Sequence, residues 1–185
     1  MILMEHIVRE GHPALRIRAE EMKFPLSAAD RELSEDLMEY VINSQDPDLS
    51  LEFGLRPGIG LAAPQLNISK RVFALHIESE DNEAISFIAI NPKIISHSVE
   101  KTYLAAGEGC LSVDRDVEGY VPRYARITIK AYDTEGNEFK KRLKGLAAIA
   151  FQHELDHLNG VMFFDHIDKN KPYKDIPGAT PFERD

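Results

Sequence analysis

Apolar residues recur along the chain in two rhythms, and the change between them outlines its architecture. Ser27 stands before a stretch in which Leu33, Leu37, Tyr40 and Val41 repeat at helical spacing, so the pattern predicts a capped amphipathic helix ending near Asn43. Residues 43–56 mix turn formers with charge and predict a surface excursion. From residue 72 the rhythm shortens. Runs at 72–77, 85–90, 93–99, 127–132 and 139–143 carry the β-branched and aromatic residues of antiparallel strands, the last two flanking the turn Asp133-Thr134-Glu135-Gly136-Asn137. A second helix is predicted over about 143–158, with Leu146, Ile149, Ala150, His153 and His157 along one side and Asn159-Gly160 as its stop. Pro172, Pro177 and Pro181 argue against a long terminal helix. Strands followed by one strong helix predict an α+β fold, with antiparallel β-sheets packed around the helix of the C-terminal half.

Composition narrows this picture. A chain of 185 residues that is 43% hydrophobic and 29% charged fits one globular domain, residues 1–185, with a core of real size. The net charge of −9 offers no basic stripe for phosphate backbones, so direct nucleic-acid readout is not expected. The first residues lack a basic start followed by a long apolar run, and no later stretch could span a bilayer. A soluble cytoplasmic protein without a membrane partner is the expectation. Cys110 is the only cysteine, which excludes an intramolecular disulfide and leaves packing, reactivity or metal binding as its uses.

Candidate chemistry centres on the second helix. The run Gln152-His153-Glu154-Leu155-Asp156-His157 contains H-E-x-x-H, which sets two imidazoles one turn apart on one face, able to grip a single metal ion. Glu154 lies beside that face, where a carboxylate can reach water at the ion without ligating it. Catalytic metal sites usually take three protein ligands, so a third is required. The metalloprotease pattern would place a third histidine where this chain has Phe163, which weakens that reading. Asp165, His166 and Asp168 are candidates by composition. Cys110 is the better one chemically, because a thiolate binds such ions strongly and the flanking Gly107 and Gly109 let main chain approach a ligand closely. A second glycine segment, Gly58-Ile59-Gly60-Leu61-Ala62-Ala63-Pro64-Gln65, lacks the third glycine and the lysine of phosphate loops. It suits close approach of another chain instead, with Gln65 offering an amide donor and acceptor.

Taken together, these three segments resemble the peptide deformylases, whose G-φ-G-φ-A-A-x-Q, E-G-C-φ-S and Q-H-E-x-D-H motifs (φ apolar) correspond to Gly58 through Gln65, Glu108 through Ser112 and Gln152 through His157. The resemblance extends from Gly11-His12-Pro13 through Val121-Pro122-Arg123 to the last helix. The excursion after Asn43, the segment 113–120 and the proline-containing tail resemble the longer class found in Gram-positive bacteria. It implies a hydrolase that removes formyl from N-formylmethionyl nascent peptides, with Cys110, His153 and His157 holding one divalent ion. Ferrous iron is the expected native ion, and nickel, cobalt or zinc would be accepted in preparations. Glu154 would move the proton, while the Leu111 N–H and the Gln65 amide would hold the oxyanion. Ile59, Leu146, Ile149 and Ala150 would form the methionine pocket, and the main chain of Gly58, Ile59, Gly60 and Gly109 would line the peptide. Glu108 and Arg123 would pair to brace the cysteine loop. A monomer is expected, with the ribosome near its exit tunnel as a further candidate partner. The rival readings are another metallopeptidase, a peptide-end binder without catalysis and a purely structural metal site.

Overall fold

The computed structural model describes residues 1–78 and 83–184. Ser27 caps the first helix, α1 (Ala28–Gln45), its side chain accepting from the Asp30 N–H at 3.1 Å, so the helix begins where the sequence predicts and runs slightly past Asn43. The expected excursion folds instead into a second helix, α2 (Pro47–Phe53). Asp46 accepts from the N–H groups of Asp48 and Leu49, Pro47 occupies the first turn, and Gly54 at φ +63° ends the helix. None of its residues is buried, which is why apolar periodicity did not reveal it.

Beyond α2 the chain builds a five-stranded antiparallel sheet in the order β1-β2-β3-β6-β7, comprising β1 (Gly60–Ala62), β2 (Val72–Ile77), β3 (Ile85–His97), β6 (Arg126–Tyr132) and β7 (Glu138–Lys144). The two strands expected at 85–90 and 93–99 are one strand. A register shift between Ile90 and Lys93, beside Asn91 at φ +50°, bends it without ending it. A smaller sheet joins β4 (Lys101–Leu104) to β5 (Arg123–Tyr124) on one side and to β8 (Ala179–Phe182) on the other, the β4–β8 pairing being parallel. The short strands β4, β5 and β8 were not foreseen.

Strand β2 shows how the layers form. Its side chains alternate between two apolar clusters: Val72 and Ala74 join Leu37, Tyr40 and Val41 of α1, whereas Phe73 and Leu75 join the residues of α3 (Gly145–Leu158). The sheet is therefore covered on both faces in this region, and its run of apolar residues is nearly continuous. Phe151 of α3 meets Phe73 edge-on with ring centroids 5.1 Å apart, and full burial of such a side chain contributes about 1.5–3 kcal/mol. Helix α3 starts at Gly145, since Leu143 and Lys144 still pair with β6. It is buried on more sides than the single face expected, with Ala147, Ala148, Phe151 and Leu158 among its buried residues. Among the described residues no helix is long and apolar enough to cross a membrane.

Candidate metal centre

The helical repeat of α3 sets His153 and His157 one turn apart, with ring centroids 5.1 Å from each other at 74°. Cys110 reaches them from the loop between β4 and β5, which turns at Gly107 with φ +82°. The Cys110 Sγ lies 3.3 Å from His157 Nε2, and one donor atom from each of Cys110, His153 and His157 falls within 4.8 Å of the other two. One thiol and two imidazoles that converge inside the protein form a donor set suited to a divalent transition ion. An orphaned atom lies beside these donors: Glu154 Oε2 is buried and, among the described residues, has no hydrogen-bond partner, an arrangement that native interiors seldom leave unfilled.

The electrostatics favour the ligating form of the sulfur. Burial opposes ionisation of Cys110, but the facing His157 and His153 outweigh it and hold the thiol well below its usual range. His153 is likewise penalised by burial, yet its contacts with Cys110 and Glu108 raise it well above an ordinary imidazole. Glu154 shifts the other way: desolvation raises its carboxyl, and the two histidines only partly offset that.

Behind the donors runs a chain of paired charges. His153 Nδ1 meets Glu108 Oε1 at 2.8 Å, and Arg123 donates to both Glu108 oxygens at 2.9 Å each through Nε and Nη2. Arg123 Nη1 donates to Asp156 Oδ2 at 2.6 Å, and His166 Nε2 meets the same oxygen at 2.8 Å. Burial works against the Glu108 carboxylate, but the Arg123 charge and the His153 hydrogen bond prevail and hold its carboxyl down at about 2. These contacts orient the His153 ring and leave its Nε2 toward Cys110, as outer partners of metal-binding histidines generally do.

The other third-ligand candidates are engaged elsewhere. Asp165 binds Arg16 and the Met162 N–H, Asp168 accepts from the Asn170 and Lys171 N–H groups, and His166 is held by Asp156. Phe163, standing where the protease pattern has its third histidine, stacks on His153 with centroids 5.8 Å apart.

The glycine segment forms the opposite wall. A Cβ on Gly60 would come within 2.6 Å of Glu154 Oε1, so only glycine lets β1 lie over that carboxylate. Gln65 is fixed at both ends of its amide. Its Oε1 accepts from the Ala62 N–H at 3.0 Å, while its Nε2 reaches Ser112 Oγ at 3.1 Å and Cys110 Sγ at 3.6 Å. A cleft of about 390 Å³ opens over the centre, with Ile59, Leu146, Ile149 and Ala150 on its apolar side and Gly58, Gly60, Gly109 and Leu111 along its main-chain rim. The sequence reading missed Leu104, Phe182 and Arg184, which also line it, and did not use Asp156 or Ser112. The last two lie inside the quoted motifs, so the motifs themselves held that signal.

Three metal donors at the base of an open cleft, with an unpaired carboxylate beside them, make this the centre of a metal-dependent hydrolase. The polypeptide deformylase family model matches residues 4–173, and the chain belongs to that family. It is 57% identical to peptide deformylase 2 of Bacillus anthracis and 56% identical to that of Bacillus subtilis, each comparison covering both chains in full. Among solved structures, the peptide deformylase of Ehrlichia chaffeensis superimposes with a TM-score of 0.74 at 32% identity, covering 90% of this chain and 89% of that one. A class I type b peptide deformylase from Acinetobacter baumannii gives 0.71 at 30% identity, covering 90% and 99%.

Proposed function

We propose that this chain, acting as a single catalytic domain in the bacterial cytoplasm, hydrolyses the formamide bond of N-formylmethionyl nascent peptides through the centre built by Cys110, His153, His157 and Glu154. Cys110, His153 and His157 would hold the ion, ferrous iron natively, with nickel, cobalt or zinc as substitutes. When bound, the ion supplies a Lewis-acid charge that makes a water beside it acidic. Glu154 accepts the proton as the water oxygen adds to the formyl carbon. As the C–N bond breaks, Glu154 returns that proton to the leaving nitrogen, giving formate and a free amino terminus. Its upward shift by burial suits this double duty, because a carboxyl closer to neutrality both takes and releases a proton.

The oxygen that becomes negative is met by two donors. The Gln65 Nε2 is aimed by the bond that fixes its Oε1, and the Leu111 N–H, among the described residues, donates to no protein acceptor. Ile59, Leu146, Ile149 and Ala150 take the methionine side chain, whose unbranched thioether suits an apolar slot of this size. The peptide lies along the free edge of β1, the outermost strand of its sheet, and pairs with it as an added strand. Gly109, whose Cβ position meets nothing within 4 Å, leaves room for it on the other side. The enzyme works as a monomer near the ribosomal exit tunnel.

The reading rests chiefly on the convergence of the thiol and two imidazoles beneath a glycine that makes room for Glu154. Anaerobically purified protein should contain about one iron per chain and release formate from formyl-Met-Ala-Ser, while leaving an internally cleavable, blocked peptide intact. Internal cleavage without formate release would instead establish a metallopeptidase.

A further inference from the structure

The tail strand β8 lies where a wall of the cleft is needed. It pairs in parallel with β4, Lys101 opposite Ala179 and Leu104 opposite Phe182. Thr102 Oγ1 donates to the Thr180 carbonyl at 2.9 Å, and the Ala105 N–H donates to the Phe182 carbonyl at 2.9 Å. The chain then runs directly from Ala105 into the loop that carries Cys110, so the tail is fastened to the strand that delivers the sulfur. The Phe182 ring closes the gap on the other side: its Cε2 lies 3.0 Å from where a Cβ on Gly145 would stand, at the first turn of α3 and next to Leu146 of the apolar pocket. Phe182 thereby spans from the cysteine loop's strand to the helix that carries both histidines.

Arg184 follows on the same strand direction and lines the cleft with Phe182. Its charge differs from the other ionic groups there. Arg56 is committed to Asp114 and the Cys110 carbonyl, Glu108 is neutralised by Arg123, and Glu154 is buried beneath Gly60. Arg184 is exposed and, among the described residues, forms no ion pair or side-chain hydrogen bond. On a protein of net charge −9 that would repel acidic peptides at a distance, Arg184 is, among the described residues, a cleft-lining cation without an ionic partner.

Resting on the proposed deformylase reading, we infer that β8 is part of the substrate cleft and that Arg184 gives the enzyme a preference for formylmethionyl peptides with an acidic side chain downstream of methionine. Phe182 supplies the apolar surface over which the residues after methionine pass, and the guanidinium meets a carboxylate beyond it. The group is exposed, so the preference is modest and screened by salt.

The test compares formate release from three C-terminally amidated peptides, formyl-Met-Ala-Asp, formyl-Met-Ala-Ser and formyl-Met-Ala-Lys, by the iron-loaded enzyme and its Arg184→Gln and Arg184→Glu variants. The unaltered enzyme should favour the Asp over the Lys peptide by about two- to fivefold in kcat/KM at low salt, the range of an exposed ion pair. Arg184→Gln should remove that preference and Arg184→Glu should reverse it, each read as the Asp-to-Lys ratio of kcat/KM within one protein. An Asp-to-Lys ratio that is identical in the three proteins overturns the inference. Absence of formate from every peptide overturns the underlying activity, and this preference with it.

Discussion

The two histidines of α3 meet edge to face, yet their surroundings differ sharply. On the His153 side each charge is answered: Glu108 takes two bonds from Arg123, Arg123 gives a third to Asp156, and Asp156 is met by His166. On the His157 side the ring Nδ1 and the neighbouring Glu154 Oε2 are buried and, among the described residues, have no hydrogen-bond partner. Saturated contacts hold a ring still, whereas an unpaired carboxylate oxygen is open to take and pass a proton. One centre thus combines a rigid half that positions and an unpaired half that reacts, and each half fails in its own way when altered.

The largest separation of the two halves should come from comparing Glu154→Ala with Cys110→Ala. Loss of Glu154 removes the proton carrier but no ligand, so metal content should remain near one per chain while kcat falls by about 10²–10⁴-fold. Loss of Cys110 removes a ligand, so metal and activity should disappear together. Metal analysis beside formate release distinguishes them. A Glu154→Ala protein with the original rate, or a Cys110→Ala protein with its full metal content, would break the division.

Next in size is the braced half. Arg123→Ala strands the Glu108 carboxylate in a site where both side chains are 3% exposed, and removing one partner of such a buried pair typically costs about 3–5 kcal/mol. The His153 ring loses its anchor at the same time, so affinity for the ion should weaken by about 10–100-fold. Denaturant unfolding and a metal competition titration measure the two effects. If both remain unchanged, the charges behind His153 do not position it.

How much of this was legible in the sequence differs between the halves for a physical reason. His153, Glu154 and His157 sit on one helix, so the 3.6-residue repeat fixes their relation before any tertiary contact is known. Cys110, Gln65 and the glycines came through motifs, and the Glu108–Arg123 pair through the family resemblance together with opposite charge, but their convergence depends on long-range packing that no local pattern encodes. The strand β8 illustrates the limit. Its partner β4 lies 78 residues away at Thr102 and Thr180, both strands are four residues long, and neither carries a clear alternation, so Phe182 and Arg184 could not be placed in the cleft from sequence. Helix α2 was hidden differently: Asp46, Pro47 and Gly54 were visible as cap, first turn and stop, but without a buried face the hydrophobic pattern fell silent.

The smallest expected effect concerns acid, and it too falls on one half only. Glu108 has its carboxyl at about 2 in the folded protein against an ordinary 4.5, so the folded state gains from its ionisation above 4.5 and loses that gain as the pH drops toward 2. The shift corresponds to about 3 kcal/mol, spread over that window. Glu154 is raised, so its ionisation opposes folding and its contribution changes with the reverse sign, stability declining as the pH climbs from its unfolded value through its folded one. In metal-free protein, Glu108→Gln should therefore flatten the loss of stability between pH 4.5 and 2, whereas Glu154→Gln should leave that acid limb in place and raise stability nearer neutrality. Urea midpoints measured across this range would show the two limbs responding to different glutamates. If either substitution altered both limbs equally, the halves would be a single coupled network and the contrast between His153 and His157 would disappear.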